Sequence, residues 1–326
     1  MCEPTPILRV ERLSVAIRGV QILHDVSFSV DAGATLGIVG ESGCGKSMTG
    51  LTLMGMLPAG GKVTHGSVAL DGRDLLQLSP KDWLQVRGQE IAMVMQDPFA
   101  SLNPMMRVGD QIAEVWVLHQ GLSWKEARVR AVEILGHVGV PDPAGSSRKF
   151  PHQMSGGQRQ RVVIACAFAA RPKVLVADEP TTALDVTLQA QILHLLKDLQ
   201  SEAGTAVVII SHDVGVIGSV SDTVAVFYAG RIVERGPVRD VLTDPQHPYT
   251  QGLLGSLPRP GLPKLESIPG QPPLFTAMPT GCPFRPRCAQ AHERCQDEPP
   301  LVEVAQDHRA ACWLHQPTQA ITSPQA

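Results

Sequence analysis

Eight residues, Gly40-Glu41-Ser42-Gly43-Cys44-Gly45-Lys46-Ser47, fit the order G-x-x-x-x-G-K-[ST] between a run that reads as a strand and one that reads as a helix. Glycines let the backbone curl until its N–H groups point at phosphate oxygens, and a helix starting there adds the positive end of its dipole. Lys46 is then placed for the β and γ phosphates of a nucleoside triphosphate, and Ser47 for a magnesium ion. Cys44 reads as a small filler of the loop.

A second constellation ends another apolar run. Val174-Leu175-Val176-Ala177 leads into Asp178-Glu179, and in an open α/β sheet the C-terminal strand ends face the ligand. Asp178 suits magnesium, directly or through water. Glu179, one residue on, suits a general base that polarises the attacking water. His212 follows the apolar run Ile209-Ile210-Ser211 and can reach the same sheet edge as a γ-phosphate contact. Ser155-Gly156-Gly157-Gln158 places a serine and paired glycines at the start of a helix, which makes a second anion site.

The elements that must hold these residues follow from pattern. Short β-rich runs occupy residues 7–10, 13–17 and 26–30, and buried-looking strands occupy 35–39, 174–177 and 206–210. Residues 108–138 carry apolar positions near helical spacing and read as a helical insertion. Leu188, Ile192, Leu196 and Leu199 share one helix face between two apolar strands, and strand, helix, strand implies a parallel sheet with right-handed crossovers. After about residue 244 prolines crowd the chain and mark an irregular segment.

Composition sets the outer bounds. The chain has 326 residues, 43% of them hydrophobic, enough for one large domain and a small appendage. A net charge of -3, from 28 basic and 31 acidic residues, gives no footprint for nucleic acid, which is therefore not an expected partner. The N-terminus lacks the basic-then-apolar layout of a secretory signal. Charges interrupt the most apolar stretches before they reach the roughly 20 residues of a spanning helix. The expected location is cytoplasmic, with membrane association through a partner. Of the 7 cysteines, Cys282, Cys288, Cys295 and Cys312 cluster near the C-terminus, which in a reducing compartment suggests metal before disulfides.

Met154-Ser155-Gly156-Gly157-Gln158-Arg159-Gln160-Arg161 resembles the signature of ABC ATPases, with methionine for the usual leucine. The resemblance extends to Gln96 as the Q-loop glutamine, to Thr182-Ala183-Leu184-Asp185 as the D-loop and to His212 as the switch histidine. It implies an α/β P-loop core with an antiparallel β subdomain and a helical subdomain. ATP would bind with Mg2+, with Gln96 among the ligands and sensors of the metal and the attacking water. Each ATP would lie between one subunit's phosphate loop and the other's signature, in a head-to-tail dimer with itself or a homologous partner. The aromatic residue that stacks on adenine in the family has no counterpart near Ile17. Arg159 and Arg161 read as solvated or interface charges.

Residues 96–104 and 178–187, and the run His247-Pro248-Tyr249-Thr250, narrow the resemblance to the oligopeptide and dipeptide importer subfamily. That subfamily implies two transmembrane permease subunits, an extracytoplasmic solute-binding protein, and a place on the cytoplasmic face of the bacterial inner membrane. It also implies a four-iron four-sulfur cluster on the four clustered cysteines. Four thiolates suit such a cluster or zinc on ligand grounds, and unligated thiols stay open as well. The expected layout is an ATPase domain at 1–243 with a helical subdomain near 97–170, a cysteine-bearing extension at 244–316, and a disordered tail at 317–326. A nickel-chelate, glutathione or other small solute stays open as cargo. Soluble relatives acting on DNA or ribosomes carry long coiled coils or two cassettes, which this chain lacks, and a dead regulatory subunit would lack Glu179 or His212.

Overall fold

The computed structural model describes residues 6–182, 184–257 and 267–315. The expected disordered tail, Cys2 and Ala183 lie outside them. The chain opens with β1 (Leu8–Ile17), β2 (Val20–Val30) and β3 (Thr35–Val39), followed by β4 (Gly61–Leu70), β5 (Arg73–Asp74) and β6 (Ile91–Val94). Then come β7 (Val174–Asp178), β8 (Ala206–Ser211), β9 (Thr223–Tyr228), β10 (Arg231–Pro237), β11 (Val302–Ala305) and β12 (His308–Ala310).

Two sheets result. β2-β1-β4-β5 is a four-stranded antiparallel sheet, and β11-β12-β10-β9-β3-β8-β7-β6 is an eight-stranded mixed sheet. Within the second, β9, β3, β8, β7 and β6 run parallel. β3, β7 and β8 are buried at every position, as their uninterrupted apolar sequences require of strands covered on both faces. The two sheets pack through one apolar cluster that joins Leu13 and Phe28 to Ile38, Val176 and Ile210.

The runs at 7–10 and 13–17 form a single strand, β1. Its pairing slips between Val10 and Leu13, where Arg12 has φ 46°, so one bulge separates what the pattern reads as two strands. Residues 108–138 form two helices, Val108–Gln120 and Trp124–His137. Gly121 ends the first at φ 67°, and Ser123 starts the second with a capping box to Glu126. Both pack on the helix Gly156–Phe168 through Ile112, Trp116, Ala131 and Leu135.

The proline-rich C-terminal region is not purely irregular. The helices Val238–Thr243 and Pro248–Gly255 follow β10 in turn, and β12 pairs antiparallel with β10, Glu234 opposite Ala310. The last strands thus extend the main sheet.

Candidate active site

Four neighbouring parallel strands, in the order β3-β8-β7-β6, deliver the candidate residues at their C-terminal ends. The phosphate loop follows β3 and His212 follows β8; Asp178 ends β7 with Glu179 next to it, and Gln96 lies just past β6. Parallel pairing alone brings these distant stretches to one edge.

Glycine sets the shape of the loop. Gly45 has φ 104°, and a Cβ there would meet Leu23 Cδ2 at 2.9 Å; one on Gly40 would run into the Phe227 carbonyl oxygen. Buried Lys46 folds back, its Nζ donating to the carbonyl oxygens of Gly40 at 2.7 Å and Glu41 at 3.0 Å. A phosphate offers the same ammonium charged and therefore stronger acceptors. Cys44 is buried, and burial pushes its thiol up, in keeping with a packing role.

Ser47 Oγ donates to Asp178 Oδ1 at 3.1 Å. These are hard oxygen donors of the kind magnesium takes along with phosphate oxygens and water, so the residues present fit the ion. Burial raises the Asp178 carboxyl above its usual range, aided by the charge of Glu179 and opposed by the Ser47 hydrogen bond and Lys46.

Glu179 is held by three side chains. Its Oε2 accepts from Thr182 Oγ1 at 2.7 Å and Gln96 Nε2 at 3.0 Å, and its Oε1 pairs with His212 Nδ1 at 3.1 Å. Its φ of 47° puts a non-glycine residue in the left-handed region, a strain of about 1–3 kcal/mol that persists only where surrounding contacts enforce it. Burial pushes the carboxyl up, but hydrogen bonds from Thr182 and His212 and the charges of His212 and Lys46 outweigh it. The group therefore sits below its usual range. An ionised carboxylate fixed in this way can accept a proton from water.

Ser42, Gly43, Lys46, Ser47, Gln96 and Glu179 border one cavity of about 380 Å³. Its apolar walls are Ile22, Met48 and Phe275, and Ile17 is not among them. A slightly larger cavity of about 450 Å³, between Trp116, His137, Phe168 and Glu202, contains none of the candidate residues.

The remaining motifs stand elsewhere. Ser155 caps the helix Gly156–Phe168 and accepts from the Gln158 N–H at 3.3 Å, while Gln158 Oε1 accepts from the Ser155 N–H at 3.1 Å. Gly157 packs closely on the helix Val186–Ala203, since a Cβ there would meet Leu188 Cδ2 at 2.5 Å and push that side chain aside. Asp185 caps the helix Val186–Ala203, accepting from the Leu188 N–H at 2.9 Å. None of Ser155, Gly156, Gly157, Gln158 and Asp185 borders the phosphate-loop cavity. Within the chain, one set of motifs is assembled and the other is presented away from it.

Arg159 departs from the expectation of a solvated charge. It is buried, its Nε donates to the Pro151 carbonyl at 2.6 Å, and its guanidinium lies 3.7 Å from the Phe99 ring centroid. Arg161 is also engaged, with Nη2 donating to Gln191 Oε1 at 3.0 Å.

Cys282, Cys288, Cys295 and Cys312 all border one small cavity of about 20 Å³. Burial raises the Cys312 thiol to about 11, with the other three adding to the effect. Among the described residues, no group of three or more His, Cys, Asp or Glu side chains stands close enough together to hold a metal ion. The expected cluster thus has the donor chemistry but not yet the geometry.

Sequence reasoning passed over Phe275 and Arg287. Both lie in a proline-rich segment with no periodic pattern, and both reach the phosphate-loop region only through the fold.

Comparison with known proteins gives the family. The ABC transporter family matches residues 23–182, and the oligopeptide/dipeptide transporter C-terminal region matches residues 233–295. The oligopeptide transport ATP-binding protein OppD of Bacillus subtilis (strain 168) is 47% identical over 99% of this chain and 93% of its own length. The chain belongs to the ATP-binding proteins of ABC transporters. Among these, OppD of Salmonella typhimurium (strain LT2) is 48% identical over 90% of this chain and 88% of its own. The dipeptide transport ATP-binding protein DppD of B. subtilis is 46% identical over 94% of both chains. The fold matches the dimeric post-hydrolysis state of the ATP-binding cassette MJ0796 bound to ADP and Pi. That match has a TM-score of 0.64 and 28% identity, and covers 71% of this chain and 99% of that one. The chain is accordingly an ABC ATPase that binds ATP with magnesium and couples hydrolysis to transport.

Proposed function

We propose that this ABC ATPase powers the import of dipeptides or oligopeptides. The single observation that carries the cargo is the near full-length similarity to OppD and DppD, which includes the C-terminal region. Two transmembrane permease subunits and an extracytoplasmic binding protein complete the machine, at the cytoplasmic face of the bacterial inner membrane. Among the described residues no helix is long and apolar enough to cross a membrane. Phe99 and Met105, 62% and 85% exposed just beyond Gln96, supply an apolar surface for a permease.

In the proposed mechanism Lys46 leaves its carbonyl partners for the β and γ phosphates, and Ser47, Asp178 and Gln96 would hold magnesium. The ion, when bound, neutralises charge on the phosphates. Ser155, Gly156, Gly157, Gln158 and Asp185 of a second subunit, identical or homologous, cover the γ phosphate. Glu179 takes a proton from water as the oxygen attacks the γ phosphorus, the bond to the β,γ-bridging oxygen breaks, and ADP leaves. Gln96 and His212 hold Glu179 and the water in line. The four C-terminal thiols would hold an iron-sulfur cluster, or zinc, as a brace for a segment with little core of its own, provided they draw closer together than they stand here; this part rests on donor chemistry and a shared cavity.

The test of cargo is uptake of a labelled tripeptide by vesicles carrying the complete transporter. ATP-dependent peptide accumulation is expected. Accumulation of a nickel chelate or glutathione, with none of peptide, would move the assignment to another small solute.

A further inference from the structure

Glu41, second residue of the phosphate loop, is held from the far end of the chain. Arg287, 246 residues away, donates from Nη1 to Glu41 Oε2 at 2.7 Å and from Nη2 to Glu41 Oε1 at 2.9 Å. Its side chain is only 5% exposed. Nε donates to the Pro269 carbonyl at 2.8 Å and Nη1 to Tyr228 Oη at 3.3 Å, so the guanidinium is fixed on both sides. The Glu41 N–H donates to Tyr249 Oη at 2.8 Å, and Tyr249 is fully buried. The Glu41 carbonyl in turn accepts from Lys46 Nζ.

Three groups of Glu41 thus have fixed partners, and the third is the phosphate lysine. A bidentate arginine–carboxylate pair fixes orientation as well as distance, and breaking it leaves a half-buried charge without its counterion. Phosphate recognition by backbone N–H groups needs placement within about 0.5 Å, so a shift of Glu41 reaches the nucleotide through Lys46. Phe284 packs on Tyr228 and Tyr249, with ring centroids 5.3 and 5.5 Å away. Phe275, from the same C-terminal region, walls the nucleotide cavity.

We propose that the C-terminal region is a working part of the ATP site, with Arg287 a positioning residue that sets the phosphate loop through Glu41. This rests on reading the loop cavity as the ATP site. Arg287 precedes Cys288 in one tight turn, in which the Cys288 N–H donates to the Arg285 carbonyl at 3.3 Å. The segment that carries the cysteines therefore also carries the brace.

The experiment uses the full chain in the assembled transporter and measures KM for ATP, kcat and Tm. Arg287→Met is expected to raise KM about tenfold while kcat falls less than about threefold, with Arg287→Lys restoring part of the loss. Adding Glu41→Gln to Arg287→Met should cost little more, because the pair acts as a unit. A folded Arg287→Met with KM within about twofold of wild type overturns the proposal, as does a lowered Tm with KM unmoved. Should Arg287→Met fail to fold, Tyr249→Phe keeps the ring and removes only its hydroxyl. A raised KM then supports the brace, and an unchanged KM overturns it. Lys46→Ala separates the two levels: if it leaves ATP binding intact, the ATP-site reading and the brace fall together. If it abolishes binding while Arg287→Met binds as wild type, only the brace falls.

Discussion

His212 Nδ1 and Glu179 Oε1 stand 3.1 Å apart at the ends of the adjacent strands β8 and β7. With Thr182 and Gln96 on the other carboxylate oxygen, Glu179 is fixed by groups from three separate segments of the protein itself. Such prior fixing is what a general base needs, because reorganisation during the reaction would add to the barrier.

The electrostatics of this cluster predict a pH response. Glu179 has its carboxyl lowered in the folded protein, burial being outweighed by Thr182, His212 and Lys46. Its ionised form is therefore favoured by folding, and its contribution is lost as pH falls through the lowered value. Thr182→Val removes a lowering hydrogen bond, so the acid limb of kcat against pH should move upward. An acid limb unmoved by the substitution would separate Glu179 from the rate.

A second prediction concerns the joint between the ATPase core and the C-terminal region. Fully buried Glu234 on β10 accepts from the N–H groups of Gln246 at 2.7 Å and His247 at 2.9 Å, and pairs with His308 Nε2 at 2.8 Å. Glu234→Leu leaves two N–H groups and His308 unpartnered inside the protein, at a cost of about 3–5 kcal/mol. Denaturant unfolding measures it, and a loss below about 1 kcal/mol would contradict the role assigned to Glu234.

The phosphate loop, Asp178-Glu179 and His212 were legible because each directly follows a continuous apolar run, and such runs become neighbouring parallel strands; Gln96 was read from the family resemblance, its short strand β6 having gone unread. The break between the helices Val108–Gln120 and Trp124–His137 was present in Gly121 and in Ser123 with Glu126, but the apolar spacing carried across it. The arginines were harder to read. Arg159 was expected as a solvated or interface charge, and only the fold brings Phe99 and Pro151 to it. Nothing local marks Arg287 as the partner of Glu41, since their contact exists only once β10 and the helix Pro248–Gly255 have brought the C-terminal region to the loop.

The signature residues make a third prediction. Ser155 and its neighbours lie off the cavity of their own chain, so Ser155→Arg should leave ATP binding by the subunit within about threefold of wild type and abolish most hydrolysis. Filter binding and phosphate release measure the two. Equal loss of both would place Ser155 in the site of its own chain.

The cysteines give a fourth. Anaerobically purified protein should carry iron and acid-labile sulfide, diminished by Cys288→Ser. Zinc alone would replace the cluster with a zinc site, and folded active protein free of both would make the thiols incidental.

Glu179, at the edge formed by β3, β8, β7 and β6, is the proposed base for ATP hydrolysis. The most direct test is Glu179→Gln, measured for ATP affinity and turnover together. Retained ATP binding with turnover lowered at least about a hundredfold is expected. Turnover near that of the wild type would contradict it.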